Sequence, residues 1–578
     1  MTREDVRSDI PAKPSRVSAR AVLLGIVLAA SVPLIYLAVT ERIEYDGYWI
    51  AFIATQDRWR NFIAEYQANA HPPLYYLVLR AGLWFGRSLL AYRAVSILAG
   101  LGTIYLVGSA ALKLTRSSWT AALAALAYGV AMPTLVVSIE VRGYMLCTFF
   151  ALLSYRCFLS VIAHDGRGGT LRPRIAFAVA AALSCLADYY SFFYVGAVLI
   201  VAMARACWWS GEPRSKALGR EAVTFAAVLG VMAFLYFTHT AAMAIPWGHL
   251  QSFYYMGMGT GTGAATESVG EFLLRNLQND FNLLSPWQTA SQPVFVAILA
   301  GLLLAGAGSL WLLRRLKEPK NLPAAATVVV TALILAEIML AGVLGKYPFG
   351  GFLRQQFLLF PFLVLSGFVL LDRLTAGIPR RTAWILAGVL AAAIGWVGYA
   401  KFAAYPKATE RLMTDQMRQF NNLFPKAAAV YVDHYNFFAF FMHHDDWTWE
   451  SEGQARWVPS VGVYRISRGN RQILVFRDSA RWVLEYDDAA LYDDLANCMR
   501  SEGLRAIDVF RAAQEEGPPR EAREIREYGK TAASFAAEHG LCIERLAIWD
   551  WDAYAEIRAG GCDGAEAAGQ AGGRAPGK

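Results

Sequence analysis

Apolar runs follow one another along most of the chain, and their lengths predict membrane spans. A helix needs about 20 apolar residues to cross the hydrocarbon core of a bilayer. Between Ala21 and Ala400 we find eleven runs near this length, which predict a polytopic α-helical membrane protein with the transmembrane domain over residues 21–402. The predicted spans are 22–39, 94–112, 119–139, 144–163, 175–190, 192–209, 222–238, 293–313, 324–345, 355–371 and 382–400.

The segment 73–86 is also apolar, but it is too short to be predicted as a span. It contains Arg80 and is rich in aromatic side chains. These features are typical of a helix that lies in the membrane interface. We therefore expect an interfacial helix here, within an outer loop over residues 40–93.

Basic residues lie in alternate loops, and they predict which side of the membrane each loop faces. Cytoplasmic loops carry an excess of Lys and Arg. With eleven spans and a cytoplasmic N-terminal segment over residues 1–20, every inner loop is basic, whereas a further span at 73–86 would turn these loops outward. The basic residues concerned are Lys113, Arg116, Arg167, Arg172, Arg174, Arg214, Lys216, Arg220, Arg314, Arg315, Lys317, Lys320, Arg373, Arg380 and Arg381.

After Lys401 the pattern becomes that of a mixed α/β domain, predicted over residues 403–559 and outside the membrane. Short β-rich runs occur at 429–433, 462–466 and 472–477, and helical patterns occur at 490–502 and 523–539. Cys498 and Cys542 would be able to pair if this domain faces an oxidising compartment. The Gly/Ala-rich end, residues 560–578, predicts disorder.

Composition agrees with a membrane protein and argues against nucleic-acid binding. The 578 residues are 56% hydrophobic and 17% charged, whereas soluble domains carry about 25% charged residues. The net charge of +8 is concentrated in loops between spans and forms no basic surface interleaved with aromatic residues. We therefore expect membrane lipids as partners and no nucleic acid.

Acidic residues follow the first span, at the level where a lipid headgroup would lie. Glu44 and Asp46 stand among aromatic residues in this stretch. A carboxylate placed there is a candidate general base for an acceptor hydroxyl. The alternative is that both are solvated loop charges, and spacing alone favours that alternative.

Further polar residues mark the outer ends of later spans. The stretch that begins at His71 continues with two prolines and Tyr75, and a tight outer turn contains Glu140, Arg142 and Tyr144. Charges so close to a bilayer are costly unless they are paired or functional. Arg142 suits a phosphate, although a local pair with Glu140 is equally consistent, and a structural role for His71 is the simpler interpretation.

A second basic turn contains Lys346 and Arg354, which suit an anionic headgroup and run against the inside bias of positive charge. Asp188, with Tyr189 and Tyr190, marks an outer hairpin, and Glu337 lies within a span. An ionisable residue inside a membrane is a functional candidate, although hydrogen bonding to a neighbouring helix is the alternative for Glu337.

Motifs for nucleotides and metals are not found in the sequence. No P-loop, GxGxxG or GxSxG context appears, so nucleotide-dependent chemistry is unsupported. The run from His443 to Asp446 contains metal-ligating side chains, but adjacent residues rarely converge on one ion. We interpret it as a surface loop and predict no metal ligand, while dependence on a divalent metal cofactor stays open.

Taken together, the acidic stretch after span one, the His-Pro-Pro-Leu-Tyr-Tyr sequence from His71 and the Glu-x-Arg-x-Tyr turn from Glu140 resemble the GT-C superfamily of membrane glycosyltransferases. The similar branch is the bacterial one related to protein O-mannosyltransferases and to the transferase that adds aminoarabinose to lipid A. The resemblance covers about residues 20–400.

This resemblance implies an inverting transfer of a sugar from a polyprenyl-phosphate donor to a glycolipid, glycan or protein on the periplasmic face of a bacterial inner membrane. The family's catalytic acid falls on Asp46, and an Asp-Glu pair is usual there. Here Gly47 follows Asp46, so Glu44 is the candidate second acid. The candidate donor-binding residues are His71, Tyr75, Glu140, Arg142, Tyr144, Lys346 and Arg354.

Two other functions remain open from the sequence. A transporter or flippase of lipid-linked sugars predicts polar residues along the spans, and Glu337 is the main example here. A non-enzymatic scaffold or sensor predicts that Asp46 has no role in activity.

Overall fold

Helices dominate the chain up to residue 405 and a mixed sheet follows them, in a computed structural model. The structure describes residues 16–41, 43, 45–56, 58–67, 69, 71–86, 88–163, 171–208, 213–242, 268–284, 322–350, 353–405, 428–432, 437, 448–454, 461–468, 470–478, 488–512, 522–549 and 552–560.

The helices before the sheet differ widely in length. They are α1 (Arg16–Thr40), α2 (Tyr45–Thr55), α3 (Trp59–Gln67), α4 (Leu74–Gly82), α5 (Leu89–Thr115), α6 (Ser118–Gly129), α7 (Met132–Ile139), α8 (Tyr144–Ala163), α9 (Leu171–Ala187), α10 (Ser191–Trp208), α11 (Arg214–Thr238), α12 (Val269–Leu284), α13 (Leu322–Val343), α14 (Leu353–Gln356), α15 (Leu359–Leu374) and α16 (Arg380–Ala404).

The long apolar helices make this a multi-pass membrane protein, although the predicted count of eleven spans is only partly matched. Among the described residues, seven helices are long and apolar enough to cross a membrane, or eight if α6 and α7, bent by 57°, form one span. Helices α9 and α15 correspond to two further predictions but have only 17 and 16 residues. The predicted span 293–313 lies outside the described residues.

Helix α4 lies where the sequence predicted a short interfacial helix. With the 3₁₀ turn that follows, it runs over Leu74–Phe85 and falls below the length of a span. Its side chains divide into two faces, with Tyr75, Tyr76 and Leu79 buried and Leu77 and Val78 exposed. A short helix with one buried face agrees with an interfacial position, which stays a prediction.

Arg93 on α5 joins the ends of two other helices. Its Nε donates to the carbonyl of Ile139, at 2.9 Å, and its Nη1 donates to the carbonyl of Ala38, at 2.5 Å. The last carbonyls of a helix have no partner within the helix, so a cation that donates to them stabilises the end. Because Arg93 is 1% exposed, these bonds also satisfy a guanidinium removed from water.

A buried ion triad joins α9, α10 and α11. Arg174 grips both oxygens of Glu221, each at 2.8 Å, and Arg205 donates to one of them at 2.7 Å. All three side chains are buried. The prediction that Arg174 is a loop charge is therefore wrong, because this residue lies within α9 and is paired.

The chain folds into two compact units, and each unit contains two separate segments of the sequence. One unit contains Met1–Thr40 and Ala64–Lys407, and the other contains Glu41–Ile63 and Ala408–Lys578. Helix α2 therefore packs with the sheet domain, whereas the sequence assigned the whole outer loop 40–93 to the membrane domain.

The C-terminal domain is a seven-stranded mixed sheet of order β2-β3-β4-β1-β5-β7-β6, in which β1 pairs in parallel with both β4 and β5. Two helices, α17 and α18, bury one face each against its core. The bounds are β1 (Ala429–Val432), β2 (Thr448–Gln454), β3 (Val461–Arg468), β4 (Arg471–Asp478), α17 (Asp488–Ser501), β5 (Ala506–Ala512), α18 (Ala522–Glu538), β6 (Leu541–Trp549) and β7 (Asp552–Ala559).

The predicted α/β pattern is confirmed for β1, β3, β4, α17 and α18. Strands β2, β5, β6 and β7 were not among the predicted elements. The suggested pairing of Cys498 with Cys542 is wrong. Cys498 is a free, buried thiol, whereas Cys542 is disulfide-bonded.

Phe52 on α2 lies in a cage of side chains from the sheet domain. Its ring meets those of Phe437 and Tyr464 at centroid distances of 5.3 and 6.3 Å, and the Arg477 guanidinium lies 5.6 Å from the Phe52 centroid. Arg477 also donates to the Tyr464 hydroxyl, at 3.0 Å. Edge-on ring pairs and a cation over a ring add to the effect of burial, so the cage anchors α2.

We predict that Phe52→Ala frees α2 without unfolding the sheet domain. Truncating a buried Phe costs roughly 3 kcal/mol or more, equivalent to about a hundredfold loss of protection. Hydrogen exchange measured by mass spectrometry on the full-length protein should show faster exchange in residues 45–55. Ile63→Ala, which truncates an exposed side chain of the same unit, is the control, and unchanged exchange in Phe52→Ala would contradict the anchor.

Candidate functional site

His71 lies just before α4, where it pairs with an acid on a distant hairpin. Its Nδ1 donates to the Asp188 carboxylate, at 3.0 Å, and its ring meets the Tyr144 ring edge-on at 5.4 Å. Asp188 follows α9 and also accepts from the backbone N–H of Tyr190, at 3.2 Å. The His71 side chain is 17% exposed and the Asp188 side chain is 6% exposed. The pair is therefore largely buried, and the imidazole is its more accessible member.

The turn between α7 and α8 brings a cation and two hydroxyls to the same place. Arg142 donates from Nη1 to the Tyr144 hydroxyl, at 3.2 Å, and is 3% exposed. The Tyr75 hydroxyl bonds to Ser96, at 2.9 Å, and the Ser96 hydroxyl bonds to the Arg142 carbonyl, at 3.3 Å. Glu140 lies within electrostatic range of Tyr75, and Arg354 within electrostatic range of Tyr144.

These contacts bring together six of the residues predicted from the sequence, with Asp188 as a seventh. We call this set the polar cluster. It consists of His71, Tyr75, Glu140, Arg142, Tyr144, Asp188 and Arg354. The cluster combines two guanidinium groups, an imidazole and two phenols, which together offer hydrogen-bond donors of the kind that bind phosphate oxygens.

Lys346 lies on the turn that leads from α13 to α14, and its side chain is exposed. The next residue fixes this turn in place. The Tyr347 hydroxyl donates to the Gln355 carbonyl, at 3.0 Å, and the Tyr347 ring meets that of Phe193 at 5.0 Å. Among the described residues, no hydrogen bond or ion pair joins the Lys346 ammonium to the polar cluster, so its role stays a prediction.

His239, which the sequence did not single out, adds a neutral imidazole beside the cluster. Its ring stacks on Tyr66 at 4.4 Å, its Nε2 lies 3.3 Å from the Tyr66 carbonyl, and its Nδ1 bonds to the Tyr189 hydroxyl. A carbonyl only accepts, so Nε2 carries the proton and Nδ1 accepts from Tyr189. Burial, with His71 nearby, lowers the pKa of His239 below its ordinary value.

The phenols at the start of α4 remain protonated because burial disfavours their ionised form. Burial raises the pKa of Tyr75, and the nearby Glu140 adds to this rise. Burial likewise raises the pKa of Tyr76 well above its ordinary value, with Tyr66 and Asp188 nearby. These side chains therefore act as neutral donors and do not supply a base near neutral pH.

Asp46 lies in the first turn of α2 and is half-buried. The free N–H groups at a helix N-terminus favour an ionised carboxylate, so this position suits a base that must be deprotonated before it acts. Asp46 belongs to the unit of the sheet domain and the polar cluster to the membrane unit. Glu44 lies outside the described residues, and its role stays a prediction.

Asp188 and His239 show what sequence reasoning missed. Asp188 was noted at a hairpin but received no role, because the sequence does not show that it faces His71, which precedes it by 117 positions. His239 directly follows the predicted span 222–238, and a histidine at the end of a span is the signal that would have found it. Among the described residues, no group of three His, Cys, Asp or Glu side chains is arranged to hold a metal ion.

We predict that His239 stays mostly neutral at pH 6.5, as the Nε2–H tautomer, because its pKa is lowered. Nitrogen-15 NMR of the histidine-labelled protein reports both protonation and tautomer, and His239→Gln assigns the signal among the 8 histidines. Tyr189→Phe should change the Nδ1 shift, because Nδ1 loses its donor. An imidazolium signal at pH 6.5 would contradict this arrangement.

Comparison with known proteins finds solved structures of similar fold but no match by sequence. No protein-family model matches the chain, and no curated protein matches it significantly. Among solved structures, ArnT from Cupriavidus metallidurans in the apo state aligns with a TM-score of 0.52 at 11% identity and covers 93% of this chain and 98% of its own.

Two further structures align. ArnT from the same organism bound to undecaprenyl phosphate has a TM-score of 0.53 at 13% identity and covers 94% of this chain and 98% of its own. The protein O-mannosyltransferase Pmt1–Pmt2 complex of S. cerevisiae, bound to the sugar donor, aligns at 14% identity over 44% of this chain and 38% of its own. Its TM-score of 0.32 is too low to indicate a shared fold. The chain therefore has an ArnT-like fold along nearly its whole length, which agrees with the fold that the resemblance of the motifs implies.

Proposed function

We propose that this protein is a membrane glycosyltransferase that transfers a sugar, with inversion, from a polyprenyl-phosphate donor to an acceptor on the periplasmic face of the inner membrane. The observation that carries the proposal is the polar cluster, assembled from distant segments in a chain with an ArnT-like fold. One of the matched ArnT structures is bound to undecaprenyl phosphate, which is the lipid part of such a donor.

The donor phosphate binds at the polar cluster in this proposal. Arg142 and Arg354 provide planar guanidinium groups that match the geometry of phosphate oxygens. His71, held by Asp188, and the Tyr144 hydroxyl add donors, and the exposed Lys346 adds positive charge nearby. The two acids, Glu140 and Asp188, limit the net charge of the cluster, so that a phosphate is attracted without being held irreversibly.

Asp46 acts as general base on the acceptor hydroxyl. The hydroxyl oxygen attacks the anomeric carbon as the bond from that carbon to the phosphate oxygen breaks, and the hydroxyl proton passes to the Asp46 carboxylate. The leaving phosphate keeps the electron pair and is stabilised by the cations around it. A single displacement inverts the anomeric centre, and Glu44 is a candidate for a second acidic role.

The sidedness of the proposal rests on two supports. The basic inner loops predict a cytoplasmic N-terminus and an outer sheet domain. The disulfide at Cys542 suits an oxidising compartment such as the periplasm. The acceptor is a glycolipid, a glycan or a protein, and each of these offers the hydroxyl or comparable nucleophile that the mechanism needs.

We predict that Asp46→Asn lowers sugar transfer by about 10²–10⁴-fold, because an amide does not take up the acceptor proton. Transfer is measured in proteoliposomes that contain a radiolabelled polyprenyl-phosphate sugar and envelope glycolipids, at equal protein content. Binding of the donor lipid should be retained.

Glu65→Gln is the matched control, because Glu65 is a partly exposed acid of the same outer loop with no proposed role. It should leave transfer unchanged. Full transfer by the Asp46→Asn protein would rule out Asp46 as the base, and a wild-type protein that transfers no sugar from any polyprenyl-phosphate donor would remove the proposal itself.

A further inference from the structure

Helix α12 buries two polar side chains together with a phenyl ring on one face. Its buried residues follow one another four positions apart, as Phe272, Asn276 and Asp280, with exposures of 0%, 0% and 4%. Residues four apart on a helix lie on the same side. On the other side Leu274 is 42% exposed, so the helix turns amide and carboxyl groups inward while apolar surface stays outside.

This buried face packs against the turn between α13 and α14. The Phe272 ring meets the Phe349 ring at 6.4 Å. Gly350, with φ of +74°, approaches so closely that a Cβ there would lie 2.5 Å from the Asn276 Cβ. A side chain at position 350 would therefore displace Asn276, and glycine lets the turn close over this face.

Five buried polar atoms in this region have no hydrogen-bond partner among the residues that the structure describes. They are both amide atoms of Asn276, both carboxyl oxygens of Asp280 and Oε1 of Gln356. Gln356 is itself 1% exposed, and its Nε2 donates to the Pro348 carbonyl at 2.8 Å. Burying a polar group without a hydrogen-bond partner is destabilising, so a native protein that keeps several such groups together has a reason to do so.

The chemistry of these groups selects the ligand. Burial raises the pKa of the Asp280 carboxyl well above its ordinary range, so its neutral form offers one donor and one acceptor. Asn276 and Gln356 are neutral amides. None of the three is a cation, which argues against a phosphate, and among the described residues no group of three His, Cys, Asp or Glu side chains is arranged to hold a metal ion. Alternating donors and acceptors without charge match hydroxyl groups, each of which both donates and accepts.

We propose that Asn276, Asp280 and Gln356 form a subsite for the hydroxyl groups of the donor's sugar, an inference that rests on the proposed function. The short helix α14 supports this placement, because it carries both Arg354 of the polar cluster and Gln356. The phosphate and the sugar of one donor are thereby recognised by neighbouring residues of α14, the first through charge and the second through hydrogen bonds.

The test compares two kinds of lipid on the full-length protein in nanodiscs, by native mass spectrometry. The probes are decaprenyl phosphate and the same lipid carrying a pentose or a hexose. The wild-type protein should bind at least one sugar lipid more tightly than decaprenyl phosphate. Asp280→Leu and Asn276→Leu should each weaken binding of that sugar lipid by about tenfold and leave decaprenyl phosphate binding unchanged.

Two controls separate the hydroxyl contacts from packing. Asp280→Asn should retain the preference for the sugar lipid, because an amide replaces the donor and acceptor of a protonated carboxyl. Asn279→Leu, which changes a partly exposed neighbour, should also retain it.

Several results would overturn the subsite. An unchanged preference for the sugar lipid in both leucine variants would leave water as the only occupant. An equal loss of binding of both lipids would indicate a structural role. A wild-type protein without a preference for either sugar lipid would also contradict the subsite. A wild-type protein that binds neither kind of lipid would overturn the proposed function as well, whereas loss of the preference alone leaves phosphate binding intact.

Discussion

The two hydrogen bonds of Arg93 fix the ends of two helices from which the chain leads to candidate functional residues. They join the ends of α1 and α7 through carbonyls of Ala38 and Ile139. The chain that leaves the first end leads to Asp46, and the chain that leaves the second leads directly into Arg142 and Tyr144. A buried guanidinium without partners would be strongly destabilising, so the arrangement of these two ends is fixed by the need to satisfy one side chain.

The same constraint explains the rest of the polar cluster. Asp188 is buried and accepts from His71, and Arg142 is buried and donates to Tyr144. Each pairing gives a buried polar group a partner and also fixes its direction. Because the groups are already oriented, the binding of a phosphate at this cluster, as we propose, would need less ordering. Helix α2 is anchored in a comparable way, by the cage around Phe52.

Sequence patterns predicted the parts of this protein that depend on local periodicity. The long apolar helices, the short helix at Leu74 and the strand at Val461 each have a pattern within a few residues. The residues His71, Arg142 and Arg354 were selected by charge near a span, and the structure brings them together. Partners such as Asp188 were not predicted, because their proximity depends on how α9 packs and leaves no local pattern.

The grouping of α2 with the sheet domain was also beyond the sequence. Phe52 is one of several aromatic residues in an apolar stretch, and nothing local shows that it meets Phe437 and Tyr464. Strands β5 and β7 were also missed, and their pairing, which places Asp508 opposite Glu556, joins segments that are far apart in the chain. In each case the decisive contacts join residues far apart in the chain.

We propose that the chain moves a sugar from a lipid phosphate to an envelope acceptor. Mass spectrometry of envelope lipids, glycans and proteins from cells that carry or lack the chain tests this most directly. Cells without the chain are expected to lose one sugar residue from a defined product and to accumulate the polyprenyl-phosphate-linked form of that sugar. Identical products and identical lipid-linked sugars in the two kinds of cell would contradict this proposal.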